Sequence, residues 1–263
     1  MKAESMNDSK TVTQEELAEL RKMLDPLIGV QFDILAVPES VLLGLEPSQV
    51  GTMVGTLMDS CIPVLHTIPT TEQGKEFPNI GITKHDGILG NREGYPDFLH
   101  ESGKRLELKL LFVDNPEVKM KKPPTPREPS ARLTQKVTVK NVIPDRDVLL
   151  VLAYQLEENK QRKGYYSPTI MDIGLFPVIE CINARDKRME DCGGRWFGNY
   201  DTPTILSRIG KEKLKKNEKL NFSTYGRKEE EGLDFNEDTN FGKLKRIPYL
   251  PLQKFIALHK QKN

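Results

Sequence analysis

The spacing of apolar side chains divides the chain into helical and extended stretches. Leu17, Leu20, Leu24, Leu27 and Ile28 recur at helical intervals and predict a helix. Thr13 sets its start, because Glu16 three residues on completes a capping box. A second helix is predicted from near Pro47 and Ser48 to about Ile62. Its apolar set is Val50, Met53, Val54, Leu57, Met58 and Cys61, with Gly51 and Gly55 tolerated inside it. Residues 63–94 are rich in Thr, Gly and Pro and read as loops with short strands. "GYPDFLH" and "RLELKLLFV" then flank "ESGK", which predicts a hairpin. Five prolines in residues 114–129 predict an ordered loop or flap. In "SARLTQKVTVKNV", residues 130–142, Leu133 and Val137 share a helical face behind a Ser130 cap, while "KVTV" also reads as a strand. "DVLLVLAYQL", residues 147–156, is a nearly continuous apolar run, the pattern of a central strand covered on both faces. Strand, crossover and central strand predict a right-handed unit with parallel strands. "TIMDIGLFPVIECI" adds one or two strands, and the chain ends in an apolar helix near "LPLQKFIALHK". The class is α/β, a mixed central sheet flanked by helices. Residues 1–12 read as a disordered N-terminus, and residues 13–263 as a single domain with insertions, since neither a linker nor an internal repeat is visible.

Composition narrows the classes. With 37% hydrophobic residues the chain can bury a core. No stretch approaches the roughly 18 apolar residues of a membrane span, so no membrane partner is expected. "MKAESMNDSK" lacks the apolar core of a secretory signal. Three widely spaced cysteines, Cys61, Cys181 and Cys192, form no CxxC pair, which disfavours a zinc site and fits a reducing, cytoplasmic setting. The net charge is only +1, but it is uneven. Residues 119–140 carry Lys119, Lys121, Lys122, Arg127, Arg132, Lys136 and Lys140 against Glu128 alone. Residues 207–228 form a second basic stretch. Two such patches in a neutral chain suit a polyanion groove; a pair of solvated faces is the plainer alternative.

The hairpin raises the chemical question. Asp97, Glu107 and Lys109 stand among Leu and Phe side chains, although buried charges need a partner. Residues two apart on a strand share a face, so Glu107 and Lys109 point together while Leu106, Leu108 and Leu110 anchor on the other side. The hairpin brings Asp97 alongside them, at one edge of a sheet. Carboxylate and carbonyl oxygens are the ligands Mg²⁺ prefers. A metal held there lowers the pKa of bound water and neutralises phosphate charge, and a lysine beside it can stabilise developing negative charge. The set suits phosphodiester hydrolysis. The bland alternative is a salt-bridged strand pair.

"PD" at residues 96–97 and "ELK" at residues 107–109 resemble the PD-(D/E)XK nuclease superfamily. Chain length, helical N-terminus and basic insertions resemble a type II restriction endonuclease, with the likeness covering roughly residues 46–156. The resemblance implies a restriction-endonuclease-like core and a single endonuclease domain with inserted DNA-recognition segments. It implies Asp97 and Glu107 as metal ligands, the Leu108 carbonyl as a further ligand and Lys109 as the catalytic lysine. The cofactor would be Mg²⁺, with Mn²⁺ able to substitute. Many relatives add an acidic residue from the preceding helix. Glu46 at its start is the candidate here, with Asp59 near its end and Glu39 as further options.

The implied function is Mg²⁺-dependent, sequence-specific cleavage of double-stranded DNA by a homodimer, because twofold sites favour twofold proteins. The alternatives are a structure-specific repair nuclease of the same fold and a non-catalytic DNA-binding protein. Arg127, Arg132, Lys136 and Lys140 are expected on DNA phosphates, and Gln135 on a base edge. Arg195, in the Gly- and aromatic-rich "CGGRWFGNYDTP", is a candidate base reader, with a structural loop as its alternative. The four histidines have no ligand spacing.

Overall fold

The computed structural model describes residues 11–68, 77–85, 94–121, 131–133, 137, 139, 141–191, 195–196, 203–204, 216 and 242–259. Chain packing groups them into two compact units. The first takes in residues up to 126 and residues 142–179; the second takes in residues 127–141 and 180–262.

The first unit is built on a six-stranded mixed sheet. Its strands are β1 (Val37–Pro38), β2 (Ile82–Lys84), β3 (Phe98–His100), β4 (Arg105–Val113), β5 (Asp147–Asn159) and β6 (Arg162–Pro177), in the order β1-β6-β5-β4-β3-β2. Only β4 and β5 run parallel; every other neighbouring pair is antiparallel. The expected hairpin is β3–β4, and the apolar run 147–156 is the central strand. Val148, Leu149, Leu150, Val151 and Leu152 of β5 are wholly buried. Each such aliphatic side chain contributes about 1.5–3 kcal/mol of burial, which fixes β5 at the middle of the sheet.

One face of the sheet carries Leu106, Leu108, Val148, Leu150 and Leu152, joined into the main core with two helices. The first is α1 (Gln14–Leu24), which starts at the expected capping box: Glu16 N–H donates to Thr13 Oγ1, and Thr13 N–H donates to Glu16 Oε2. Val12, which the composition places in a disordered tail, is instead buried, and its N–H donates to the Pro144 carbonyl. The apolar side chain joins the core that α1 seals. A short helix α2 (Glu39–Leu42) precedes α3 (Pro47–Cys61), which buries Val50, Val54, Met58 and Cys61 along one stripe. Gly51 faces the Tyr154 hydroxyl, where a Cβ would make an ordinary contact at 3.5 Å.

"VIECI" is not strand. β6 ends at Pro177 and α4 (Val178–Asp191) begins at once. Val178, Cys181, Ile182 and Arg185 are buried at helical spacing, so packing overrides the strand preference of the β-branched residues.

In the second unit, Arg185 is wholly buried. Its guanidinium donates to the Val137 and Leu133 carbonyls and pairs with Asp186. The crossover shows no helix among its described residues. Arg132 forms an isolated antiparallel bridge with Lys243 instead, and Leu133 exchanges a backbone hydrogen bond with Gly242. The unit also holds the two-residue strands β7 (Arg195–Trp196) and β8 (Pro203–Thr204), and α5 (Leu250–Leu258) at the expected terminal helix.

Candidate active site

The site forms where β3 and β4 part. Their pairing covers only Phe98↔Leu106 and Leu99↔Arg105. Continued two residues further, the ladder would set Pro96 opposite Leu108. Proline has no N–H to give the Leu108 carbonyl, and it ends pairing within sheets. The backbone of Leu108 is therefore taken up by side chains. Its N–H donates to Asp97 Oδ2 at 2.7 Å, and its carbonyl accepts from Lys109 Nζ at 2.7 Å. Although β4 lies inside the sheet, it has a local free edge at Leu108. This refines the expectation that the carboxylates meet at a sheet edge.

The three charges of the hairpin come together there. Lys109 Nζ lies 2.7 Å from Glu107 Oε1 and 3.9 Å from Asp97 Oδ2. Its ammonium thus sits among a carboxylate oxygen, a backbone carbonyl and a second carboxylate. Glu107 is only 4% exposed. Its second oxygen, Oε2, is buried without a hydrogen-bond donor. Burial pushes the Glu107 carboxyl up to about 7; the Lys109 ammonium opposes this and the Asp97 charge adds to it. Asp97 is also raised, by burial first, against the pull of Lys109 and of the Leu108 N–H. Two carboxylates held this close in a dry site lack positive charge.

The surroundings hold Asp97 in place. The Asp97 carbonyl accepts from the His85 N–H. Tyr95, two residues earlier, donates its hydroxyl to Asp147 Oδ2 at 2.5 Å, and Arg105 Nε lies 3.0 Å from Asp147 Oδ1. Asp147 is buried and also accepts from the Ile143 N–H. This knot joins the approach to Asp97 to the start of β4 and β5. Lys84, the last residue of β2, pairs with Asp59 at the end of α3, and both charges act on Asp97.

The other sequence candidates fare differently. Glu46 is the N-cap of α3: its main-chain carbonyl accepts from the Gln49 N–H, and its own N–H donates to Gln49 Oε1. Glu46 thus stands at the start of α3, and Asp59 near its end. Glu39 starts α2 and acts on Tyr166, whose strand β6 adjoins β1 at the other side of the sheet. Asp59 is the acid whose charge reaches Asp97. Among the described residues no three His, Cys, Asp or Glu side chains converge as metal ligands. Arg132 is exposed in the second unit. Arg195 is placed by its backbone in β7. Arg127, Gln135, Lys136 and Lys140 lie outside the described residues. Sequence reasoning passed over Tyr95, Asp147, Arg105 and Lys84. Tyr95 could have been flagged as the aromatic directly before "PD"; Asp147, Arg105 and Lys84 give no local signal.

The residues present suit a small divalent cation. The donors are all oxygen, one of them buried without a partner, and a lysine ammonium already rests among them. Two carboxylates and a carbonyl leave room for the waters that Mg²⁺ retains. No helix among the described residues is long and apolar enough to cross a membrane. No protein-family model matches the chain, and no curated protein and no solved structure matches it.

Proposed function

We propose that the chain is a divalent-cation-dependent nuclease that cuts double-stranded DNA at a specific sequence, working as a homodimer in the manner of a type II restriction endonuclease. The observation that supports this reading best is the hole in the charge balance at Glu107. A buried carboxylate oxygen without a donor stands beside a second carboxylate and a backbone carbonyl freed from the strand ladder, with one ammonium among them.

Asp97, Glu107 and the Leu108 carbonyl would hold Mg²⁺ or Mn²⁺. When bound, the ion supplies positive charge against the scissile phosphate and acidifies a coordinated water. The Leu108 N–H fixes the Asp97 carboxylate, so one of its oxygens stays directed while the other is left for binding. The Tyr95–Asp147–Arg105 knot keeps the chain before Asp97 from shifting. Lys109, released from Glu107 and Leu108, is a donor within reach of the reacting phosphate and orients the attacking water or neutralises the developing charge. Arg132 and the basic residues around it, Arg127, Lys136 and Lys140, would contact the backbone phosphates, with Gln135 and Arg195 as base readers.

Incubation of the purified protein with a plasmid and Mg²⁺ tests the reading, with the fragment ends sequenced. Discrete fragments with a common end sequence are expected. Asp97→Ala, Glu107→Ala and Lys109→Ala should each fold and fail to cut. Nicks confined to mismatches or branches would mean a structure-specific repair nuclease instead. DNA binding without any metal-dependent cleavage would mean a non-catalytic binding protein.

A further inference from the structure

Lys84 is left over when the hairpin trio has been assigned. It ends β2, and its Cα partner across the ladder is Phe98, the residue after Asp97. Its ammonium pairs with Asp59 and lies 5.0 Å from the centroid of the Phe98 ring. Two separate contacts, one ionic and one aromatic, therefore hold this head group at one place. That place adjoins the site along the strand ladder, because Phe98 follows Asp97 and the N–H of His85, the residue after Lys84, donates to the Asp97 carbonyl. The two lysines differ in access. The Lys109 side chain is 15% exposed and that of Lys84 is 46% exposed. Lys109 is thus engaged inside the oxygen cluster, while Lys84 stands on its solvent side.

We propose, resting on the nuclease reading above, that Lys84 contacts a backbone phosphate of the bound DNA, presented beside Asp97 by Asp59 and the Phe98 ring. Asp59 is then a positioning residue. A polyanion approaching Asp97 and Glu107 meets two carboxylates, and an accessible cation at the mouth offsets that repulsion. The ion pair with Asp59 does not forbid the contact, since an exposed pair is weak and easily shared with a phosphate.

The role has a signature that packing alone does not produce. Lys84 attracts DNA but repels a divalent ion, so Lys84→Gln should shift the two affinities in opposite directions. Mn²⁺ binding without DNA, read by electron paramagnetic resonance, should tighten about two- to fivefold, the range of a partly exposed charge interaction. Binding of a plasmid-derived duplex in Ca²⁺ should weaken, with the salt slope reduced by about one. Lys84→Arg should restore the slope. Asp59→Asn keeps the cation and leaves the Phe98 ring as its hold, so affinity should fall less than in Lys84→Gln and most of the slope should remain. Unchanged affinities in Lys84→Gln would overturn the proposal. So would weakening of Mn²⁺ and DNA together, or an Asp59→Asn variant that loses the slope as Lys84→Gln does; these would mark a structural clamp. A wild-type protein that neither binds Mn²⁺ nor cuts DNA would overturn the nuclease reading itself. A wild type that does both, with Lys84→Gln indistinguishable from it, would remove only Lys84.

Discussion

Replacing Glu107 by Gln tests the charge imbalance without needing a substrate. The substitution keeps the shape of the side chain and removes its charge. In the folded protein burial holds this carboxyl at about 7, against an ordinary value of 4.5. The folded state therefore keeps a proton that the unfolded chain gives up. Below the ordinary value both states are protonated and the group has no preference. As the pH rises from there through about 7, the unfolded chain ionises first and stability is lost. Above that range the full difference applies, about 3 kcal/mol at 1.36 kcal/mol for each pH unit.

Glu107→Gln never ionises and escapes this loss. In EDTA at about pH 8.5 the variant should be the more stable protein, by up to about 3 kcal/mol, and at about pH 5 the two should nearly coincide. For a chain of this size the gap corresponds to a rise in melting temperature of roughly 6–12 °C. Scanning calorimetry or fluorimetry of both proteins at the two pH values reads it directly. Added Mg²⁺ should close most of this gap at high pH, because the ion binds wild type and stabilises it by about 2.7 kcal/mol at a hundredfold excess over its Kd. Asp147, also raised by burial, is present in both proteins and cancels in the comparison, whereas Asp97 faces Glu107 and its titration belongs to the same difference. If the variant gained no stability between low and high pH, Glu107 would not be the strained carboxylate described here.

The oxygen-only ligand set leads to a metal profile: cleavage with Mg²⁺ or Mn²⁺, and DNA binding without turnover in Ca²⁺, whose looser coordination leaves the attacking water poorly placed. Full activity in excess EDTA would refute it. For the basic segment, Arg132→Ala and Lys136→Ala should each weaken binding to every sequence alike and lower the salt slope by about one. A titration across a salt series with no change in either variant would take the segment off the DNA. Arg185→Leu should destabilise the second unit by about 2–3 kcal/mol, since the buried Leu133 and Val137 carbonyls lose a charged donor. Denaturant unfolding within about 0.5 kcal/mol of wild type would mean that those carbonyls find other partners.

Local signals in the sequence were enough for the elements that depend on local rules. The Thr13–Glu16 box placed the start of α1, the turn residues "ESGK" placed the β3–β4 hairpin, and the unbroken apolar run placed β5 at the centre. What was lost depends on distant contacts. The helical state of "VIECI" is decided by what Val178 and Ile182 pack against, which their β-branched side chains argue against locally. Glu46 and Asp59 are both acids on the same helix, and nothing in their spacing says which one faces Asp97. The ion pair of Asp59 with Lys84, a strand partner of the residue after Asp97, places Asp59 there. Leu133 and Val137 share a helical face on paper, yet their carbonyls turn to a buried arginine about fifty residues further on.

The hairpin explains why a pattern as short as Pro-Asp followed by Glu-Leu-Lys can still carry chemistry. Each residue type answers a different need of the same backbone position. Leu108 has an N–H and a carbonyl that an ordinary ladder would consume. Pro96 withholds the donor that the carbonyl would have used, and Asp97 supplies an acceptor for the N–H from its side chain rather than its main chain. The strands part, and the carbonyl is left facing Lys109. The alternation of β4 then sends Glu107 and Lys109 to one face and Leu106 and Leu108 into the core, so the charges are held rigidly by the residues between them. A surface salt bridge needs none of this. On the proposed reading, the proline, the aspartate and the alternating strand together keep a backbone oxygen and two carboxylates available to a cation.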